Sequence, residues 1–123
     1  MTTASYETSD GYGLNYGVLL TAGPTQTDAS AANSTAVDNT SSTAAGGVAA
    51  LQVLSVATGS AIVKVQHSSD NVTFADLLTF TTAAARTAEI VRDTGSTTVN
   101  RYVRVISTST FTDLVFVVQF ARL

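Results

Sequence analysis

The sequence predicts an all-β protein, an antiparallel β-sandwich with jelly-roll-like connections and an extended N-terminal arm. Two observations predict this fold class. From Ala50 onward, β-branched and aromatic residues alternate with polar ones at a period of two, which is the pattern of strands with one buried face. Short clusters of Gly, Asn, Asp and Ser interrupt these runs at the close spacing typical of sandwiches and barrels.

The N-terminal third differs in composition from the rest of the chain. Residues 1–13 are polar and lack a regular period, which predicts an arm that is ordered only against a partner. Residues 14–123 are predicted to form one sandwich domain, because a chain of 123 residues suffices for one hydrophobic core. In this domain we expect a strand at 14–20. Residues 21–47 are predicted as a long connection rich in Ala, Ser and Thr, and either 34–38 pairs as a short strand or the whole connection is ordered by a partner.

Six strands are predicted in the remainder of the chain, at residues 48–56, 62–67, 74–81, 88–92, 100–107 and 113–121. The first two are predicted to pair as a hairpin across the turn at 57–60. A second turn is expected at 68–71, because Asp and Asn side chains hydrogen-bond to the adjacent backbone and tolerate a positive φ. No helix is predicted apart from at most one turn at 82–87, whose flanking Thr residues disfavour anything longer.

The last predicted strand is apolar on both faces. One face of this strand carries only apolar side chains, Leu114, Phe116, Val118 and Phe120. The other face is also partly apolar and carries Val115, Val117 and Gln119. A strand with this pattern either is buried on both sides or presents its outer face to another chain. Val115 and Val117 are therefore predicted to bind a partner.

The scarcity of charge indicates that the protein is part of an assembly. Charged residues make up 12% of the chain, about half of the usual ~25%. Free β-proteins commonly protect their edge strands with Lys, Pro or inward-pointing charges, and this chain has one Lys and one Pro. We therefore expect its edges to be covered, most simply by other copies in a homo-oligomer or by a larger lattice.

Composition also argues against several other classes. A formal net charge of -3 with six dispersed Lys and Arg residues disfavours nucleic-acid binding, which needs clustered basic side chains. The longest apolar run, 114–118, is far shorter than a transmembrane helix, and the first residues do not resemble a signal peptide. We expect a protein that is made in the cytoplasm and does not enter a membrane. The absence of Cys excludes disulfides and thiolate zinc sites.

The residues capable of catalysis are few. His67 and Asp70, with a nearby Ser, are the candidates for a hydrolase triad, but the chain has no Gly-x-Ser-x-Gly nucleophile elbow. Two carboxylate pairs, Asp70 with Asp76 and Glu89 with Asp93, are predicted at strand ends that face solvent and not in a cleft. We therefore predict that the protein is not an enzyme and has no catalytic residue, cofactor or metal site.

Tyrosine residues supply a further set of candidate binding positions. Tyr6, Tyr12 and Tyr16 are predicted to contact a partner, since amphipathic rings dock on protein surfaces or stack on sugars. In an alternative interpretation, Tyr12, Tyr16 and Tyr102 are the stacking platforms of a carbohydrate-binding module.

One family resemblance covers the last two thirds of the chain. The segments that carry it are VKVQHSSDNVTFADL at 63–77, NRYVRV at 100–105 and FAR at 120–122. They resemble small β-sandwich proteins encoded among the virion structural genes of tailed bacteriophages. The resemblance implies a non-enzymatic virion protein made in the host cytoplasm. The first hypothesis is a capsid decoration (cement) protein that binds the major capsid protein, with residues 1–13 and 21–47 lying on the lattice and bridging subunits.

The alternative within the same family is a tail accessory, tail-tube or fibre component that binds tail proteins, with the carbohydrate-binding module as one form of it. Residues 68–74 also resemble the Asp-box hairpin of sialidase-type β-folds, without the glycine of that motif. This second resemblance implies a turn that Asp70 caps and from which Phe74 enters the core. It implies no activity.

Overall fold

Alternating apolar side chains give the chain two antiparallel β-sheets. The computed structural model describes residues 17–23, 25–94 and 96–123. These residues contain no helix, and therefore none that is long and apolar enough to cross a bilayer. The described strands are β1 Val18–Leu19, β2 Gln26–Asp28, β3 Ala32–Asn33, β4 Val37–Asp38, β5 Gly46–Gly59, β6 Ile62–Ser68, β7 Ala75–Thr79, β8 Thr87–Thr94, β9 Tyr102–Thr108 and β10 Phe111–Arg122.

The two sheets pack face to face as a β-sandwich, which confirms the predicted fold class. Sheet I has the order β1-β10-β5-β8, and β2 also pairs with β10. Sheet II has the order β3-β9-β6-β7, and β4 also pairs with β9. One edge of each sheet is thus shared by two short strands from the region before β5. The jelly-roll connections and the N-terminal arm remain predictions.

The hydrophobic core lies between the sheets and is centred on β10. This strand pairs with β5 from Phe111↔Gly59 to Arg122↔Gly47. The predicted alternation is confirmed, because Phe116 and Phe120 are at most 2% exposed and point toward the valines of sheet II, whereas Val117 remains half-exposed. Burying a side chain of this size stabilises the fold by ~1.5–3 kcal/mol.

The predicted hairpin between 48–56 and 62–67 is wrong. β5 belongs to sheet I and β6 to sheet II, so the chain changes sheets between Gly59 and Ile62. Gly59 has a φ of 77°, and a side chain there would overlap with the Thr110 carbonyl group. The chain changes sheets again between β9 and β10, at Ser109 and Thr110. The Ser60 amide donates a hydrogen bond to the Thr110 carbonyl at 3.1 Å. The two crossings therefore form one corner of the sandwich.

The connection predicted at 21–47 contains β2, β3 and β4. Val37 and Asp38 pair with Val103 and Tyr102 of β9. Of the two alternatives for 34–38, short-strand pairing is therefore the one that the structure has. Strands of two or three residues are too short to show the alternation by which longer strands are predicted.

The turn after β6 has the predicted cap. The Asp70 carboxylate accepts hydrogen bonds from the amides of Val72 at 2.9 Å and Thr73 at 3.0 Å, and Asn71 has a φ of 60°. Phe74 does not enter the core, because its ring lies 3.9 Å from the Arg104 guanidinium carbon on the outside of sheet II.

The remaining local predictions have mixed outcomes. Residues 82–87 form no helical turn, since Ala83 makes an antiparallel bridge to Ala61. Of the strand predicted at 14–20, Val18–Leu19 is observed, and 14–16 lie outside the described residues. The predicted arm at 1–13 also lies outside them.

The positions Phe116 and Ile90 provide a matched test of this packing. We expect Phe116→Ala to lower the free energy of unfolding by about 3–5 kcal/mol, because the side chain is fully buried and its removal leaves a cavity. Ile90 is 71% exposed, so Ile90→Ala is expected to change the free energy of unfolding by less than about 0.5 kcal/mol. Urea unfolding of both variants measures the difference, and equal losses would contradict the assigned faces of sheet I.

Candidate partner-binding surface

The outer face of sheet I is largely neutral, although the exposed Arg92 lies on it opposite Val48, toward the β8 edge. Since Leu51, Val53 and Phe116 point inward, their neighbours along each strand point away from the core. The register places these outward residues in rows across the sheet, from β8 through β5 and β10 to β1. We call them the open face: Leu19, Ala50, Gln52, Ala88, Ile90, Val115, Val117 and Gln119.

The centre of the open face is a shallow depression with a volume of about 320 Å³. Ile90 borders it and is 71% exposed. The side-chain amides of Gln52 and Gln119 also border it, and they make no hydrogen bond within the described part of the chain. The open face therefore presents apolar surface together with two amide groups whose donors and acceptors are available to a partner.

The outer face of sheet II is the opposite in character. Lys64 donates to the Asp76 carboxylate at 2.9 Å, and Gln66 donates to the same carboxylate at 2.8 Å. The Gln66 carbonyl oxygen in turn accepts two hydrogen bonds from Arg104, whose guanidinium covers the Phe74 ring. These side chains form one connected polar network that is compatible with continuous exposure to water.

A second ion pair extends this polar surface. Arg101 donates to both oxygens of Asp38, at 2.6 and 2.8 Å, and these bonds help to hold the pKa of Asp38 at about 2. The Arg101 guanidinium carbon also lies 4.9 Å from the centre of the Tyr102 ring. Tyr102 was predicted as a stacking platform, but its own neighbour already lies over that ring. Within the described residues, both ion pairs and both cation–π contacts belong to this side of the sandwich.

The edge strand β8 carries a protective device that the sequence analysis missed. Glu89 lies opposite Leu51, on the inward side of sheet I. Its carboxylate accepts hydrogen bonds from the Thr81 amide at 2.8 Å and from the Thr81 hydroxyl at 3.0 Å. An inward-pointing charge at an edge discourages pairing with other strands. The open face and not this edge is therefore the stronger candidate for partner binding.

The candidate catalytic residues do not assemble into a triad. The His67 Nδ1 atom accepts a hydrogen bond from the Asn100 amide at 3.0 Å, and partial burial lowers the pKa of its imidazole, helped by the nearby Arg122 charge. The Ser68 hydroxyl donates to Asp70 at 2.8 Å. His67 and Asp70 thus take part in separate structural contacts.

The prediction of solvent-facing strand ends is wrong for Glu89, which lies within β8 and points inward, and the four carboxylates have separate partners. Glu89 binds Thr81, and Asp93 accepts a hydrogen bond from Thr97 at 2.8 Å. Asp76 binds Lys64, and Asp70 caps its own turn. The described residues contain no group of three His, Asp or Glu side chains that would hold a metal ion.

The residues predicted to bind a partner fall into two groups. Val115 and Val117 lie on the open face, half-exposed, next to the exposed Gln119. Tyr6, Tyr12 and Tyr16 lie outside the described residues. Sequence analysis did not identify Ile90, because the alternation in β8 does not reveal which of its faces meets solvent.

Neither a protein-family model nor a curated protein sequence matches this chain.

The cap formed by Asp70 predicts that the free energy of unfolding depends on pH in the acidic range. Hydrogen bonds from the Thr73 and Val72 amides and from Ser68 lower the pKa of Asp70 to about 2 in the folded protein. An unfolded Asp has a pKa of ~3.9, so the contribution of the carboxylate is complete above that value and is lost as the pH falls toward 2. We expect Asp70→Asn to be less stable than the wild type at pH 6, with the gap closing between pH 4 and pH 2. Urea unfolding across this range measures the gap, and a constant difference would show that the cap does not depend on charge.

Proposed function

We propose that this protein is a non-enzymatic virion structural protein that decorates the capsid. In this proposal, the open face of sheet I binds the outer surface of the shell and bridges its subunits, while sheet II faces solvent. The resemblance of residues 63–77, 100–105 and 120–122 to virion proteins of tailed bacteriophages supports the assignment to a virion.

The observation that carries the proposal is the contrast between the two outer faces. The centre of a protein–protein interface is depleted in charge and contains exposed apolar groups, whereas a solvated surface carries paired charges. Sheet I has the first character around Ile90 and Val117, and sheet II has the second around Lys64, Asp76 and Arg104. The outer face of sheet I is thus suited to bind a partner, and the outer face of sheet II is suited to remain exposed to solvent.

Decoration would stabilise a shell by mass action. A protein that binds the assembled lattice and not its separated subunits adds its binding free energy to assembly. Removing apolar surface from water contributes ~25 cal/mol per Å², so an exposed isoleucine such as Ile90 would be a principal contributor. The same contribution would be repeated at every decorated site.

The tail alternative uses the same surface with a different partner. A tail-tube or tail accessory subunit would cover the open face with tail proteins, and gold-labelled protein located on virions by electron microscopy separates head from tail. The carbohydrate-binding alternative has less support, because Arg101 lies over the Tyr102 ring. A glycan array would test it directly.

The open face can be tested with charge substitutions. We expect Ile90→Glu and Val117→Glu each to weaken binding to capsid shells at least tenfold, because the new carboxylate would have to be desolvated in the interface. Co-sedimentation with shells assembled from the major capsid protein of the same genome measures the affinity.

Thr79→Glu is the matched control, because it places the same charge at an exposed position on sheet II. It should bind as the wild type does, and circular dichroism should show all three variants folded. Shell binding by Ile90→Glu equal to that of the wild type would overturn the assignment of the open face. No binding by the wild type would overturn decoration itself. Deleting residues 1–13 in the same assay tests the predicted contribution of the arm.

A further inference from the structure

A polar groove opens between the sheets, next to the open face. It lies on the side of the sandwich where β1 and β2 border sheet I and β3 and β4 border sheet II, and its volume is about 500 Å³. Leu19 lines this groove and also pairs with Gln119 of the open face. A partner that covers the open face would therefore meet the mouth of the groove.

The groove wall contains a buried carboxylate. Asp28 is 7% exposed and lies opposite Leu114, in a row of side chains that point into the core. Its Oδ2 atom accepts a hydrogen bond from the Ser107 hydroxyl at 2.5 Å, and its Oδ1 atom accepts one from the Gln26 amide at 2.8 Å. Because Ser107 belongs to β9, this contact joins the two sheets.

Within the described residues, no Lys or Arg side chain compensates the charge of Asp28. All six Lys and Arg side chains lie within the described residues, and none of them forms an ion pair with Asp28. Both observed donors, Ser107 and Gln26, are neutral. A carboxylate withdrawn from water normally has a cationic partner, because desolvation of an uncompensated charge is costly.

The carboxylate has capacity for further donors. Two carboxylate oxygens offer about four acceptor positions, and the described hydrogen bonds use two of them. The groove lining combines the apolar residues Leu20, Ala36 and Val37 with Asp28 and with neutral polar residues of β2 and of the segments that flank β1 and β4. An apolar wall with an acceptor beside it suits a side chain that has a hydrocarbon stem and a cationic end.

We propose that this groove receives a lysine or arginine side chain from the protein that covers the open face. The inference rests on the proposed function, which supplies the protein that covers the open face. It adds that this protein projects a basic side chain into the groove. A metal ion fits less well, since the described residues hold no cluster of carboxylates or imidazoles.

The size of the interface also favours use of the groove. Three inter-strand spacings of ~4.8 Å and four residue rises of ~3.3 Å give the backbone of the open face about 14 by 13 Å, an area of roughly 190 Å² that is well below the ~800 Å² per partner of a stable complex.

The probe for the test is N-acetyl-lysine N-methylamide, titrated into the isotope-labelled full-length protein and followed by NMR. We expect saturable shifts of the Thr21, Ser34 and Val37 amides, all of which line the groove. The isosteric norleucine compound, which lacks the ammonium group, should bind at least tenfold more weakly. Equal binding of the two compounds, or no binding of either, would overturn the proposal.

Two variants locate the site. Asp28→Asn keeps the shape of the side chain and should weaken lysine-probe binding at least tenfold, whereas Asp93→Asn on the far edge of sheet I should leave it within twofold. Ala36→Leu fills the groove from the loop between β3 and β4, and it provides the same test should Asp28→Asn fail to fold. If probe binding persists in both variants, the groove is not the site and Asp28 only joins the sheets.

The shell assay separates this inference from the proposed function. We expect Asp28→Asn to weaken shell binding less than Ile90→Glu does, but by at least threefold. Wild-type affinity of Asp28→Asn together with loss in Ile90→Glu would refute the groove and leave decoration intact. Probe binding without shell binding would leave the groove as a cation site and refute decoration.

Discussion

The pairing of β10 with β5 is the interaction on which the rest of the structure depends. It directs Phe116 and Phe120 into the core and turns Val115 and Val117 outward. The other side of β10 pairs with both β1 and β2, so the same strand completes the open face and holds the two strands that line one side of the groove. A change of register by one residue would exchange the buried and exposed sets, because successive side chains of a strand point to opposite faces. Core, partner surface and groove are therefore consequences of one alignment.

The two outer faces show how a sandwich with few charges distributes them. The chain places Lys64, Asp76, Arg101 and Asp38 on sheet II, where they satisfy one another in pairs. Isolated surface ion pairs contribute only ~0–1 kcal/mol to stability, so their main effect is to keep this face hydrated. The outward rows of sheet I are neutral apart from Arg92 at the β8 edge. Asp28 and Glu89 are exceptions to this separation, because both carboxylates lie on the inward side of sheet I.

Much of the fold follows from the sequence, and the errors share one cause. Alternation identified β5, β6, β9 and β10 to within a few residues, since one face of each is buried and the other is not. It does not specify which strand lies beside which. The pattern around 57–60 therefore predicts a hairpin, whereas Gly59 redirects the chain to the opposite sheet. The resemblance to an Asp-box hairpin places Phe74 in the core, but Arg104 covers its ring on the outside of sheet II. The candidate surface was predictable only at Val115 and Val117, because Ile90, Gln52 and Leu19 join it through pairing between distant segments.

The corner at Gly59 and Thr110 bears on how the chain reaches this structure. Because neither crossing is a hairpin, β5 must find β10 across the residues between Gly59 and Phe111, and only β6 and β7 form a pair through a short local turn. Topologies dominated by such distant contacts fold slowly, since the entropy of loop closure is lost before the contacts form. During synthesis on the ribosome, the backbone of β5 has no partner along the edge that later pairs with β10 until β10 itself has been synthesised. The nascent chain thus exposes β5, with Leu51 and Val53, from the completion of Gly59 until β10 is made, the interval in which chaperones would protect it from aggregation.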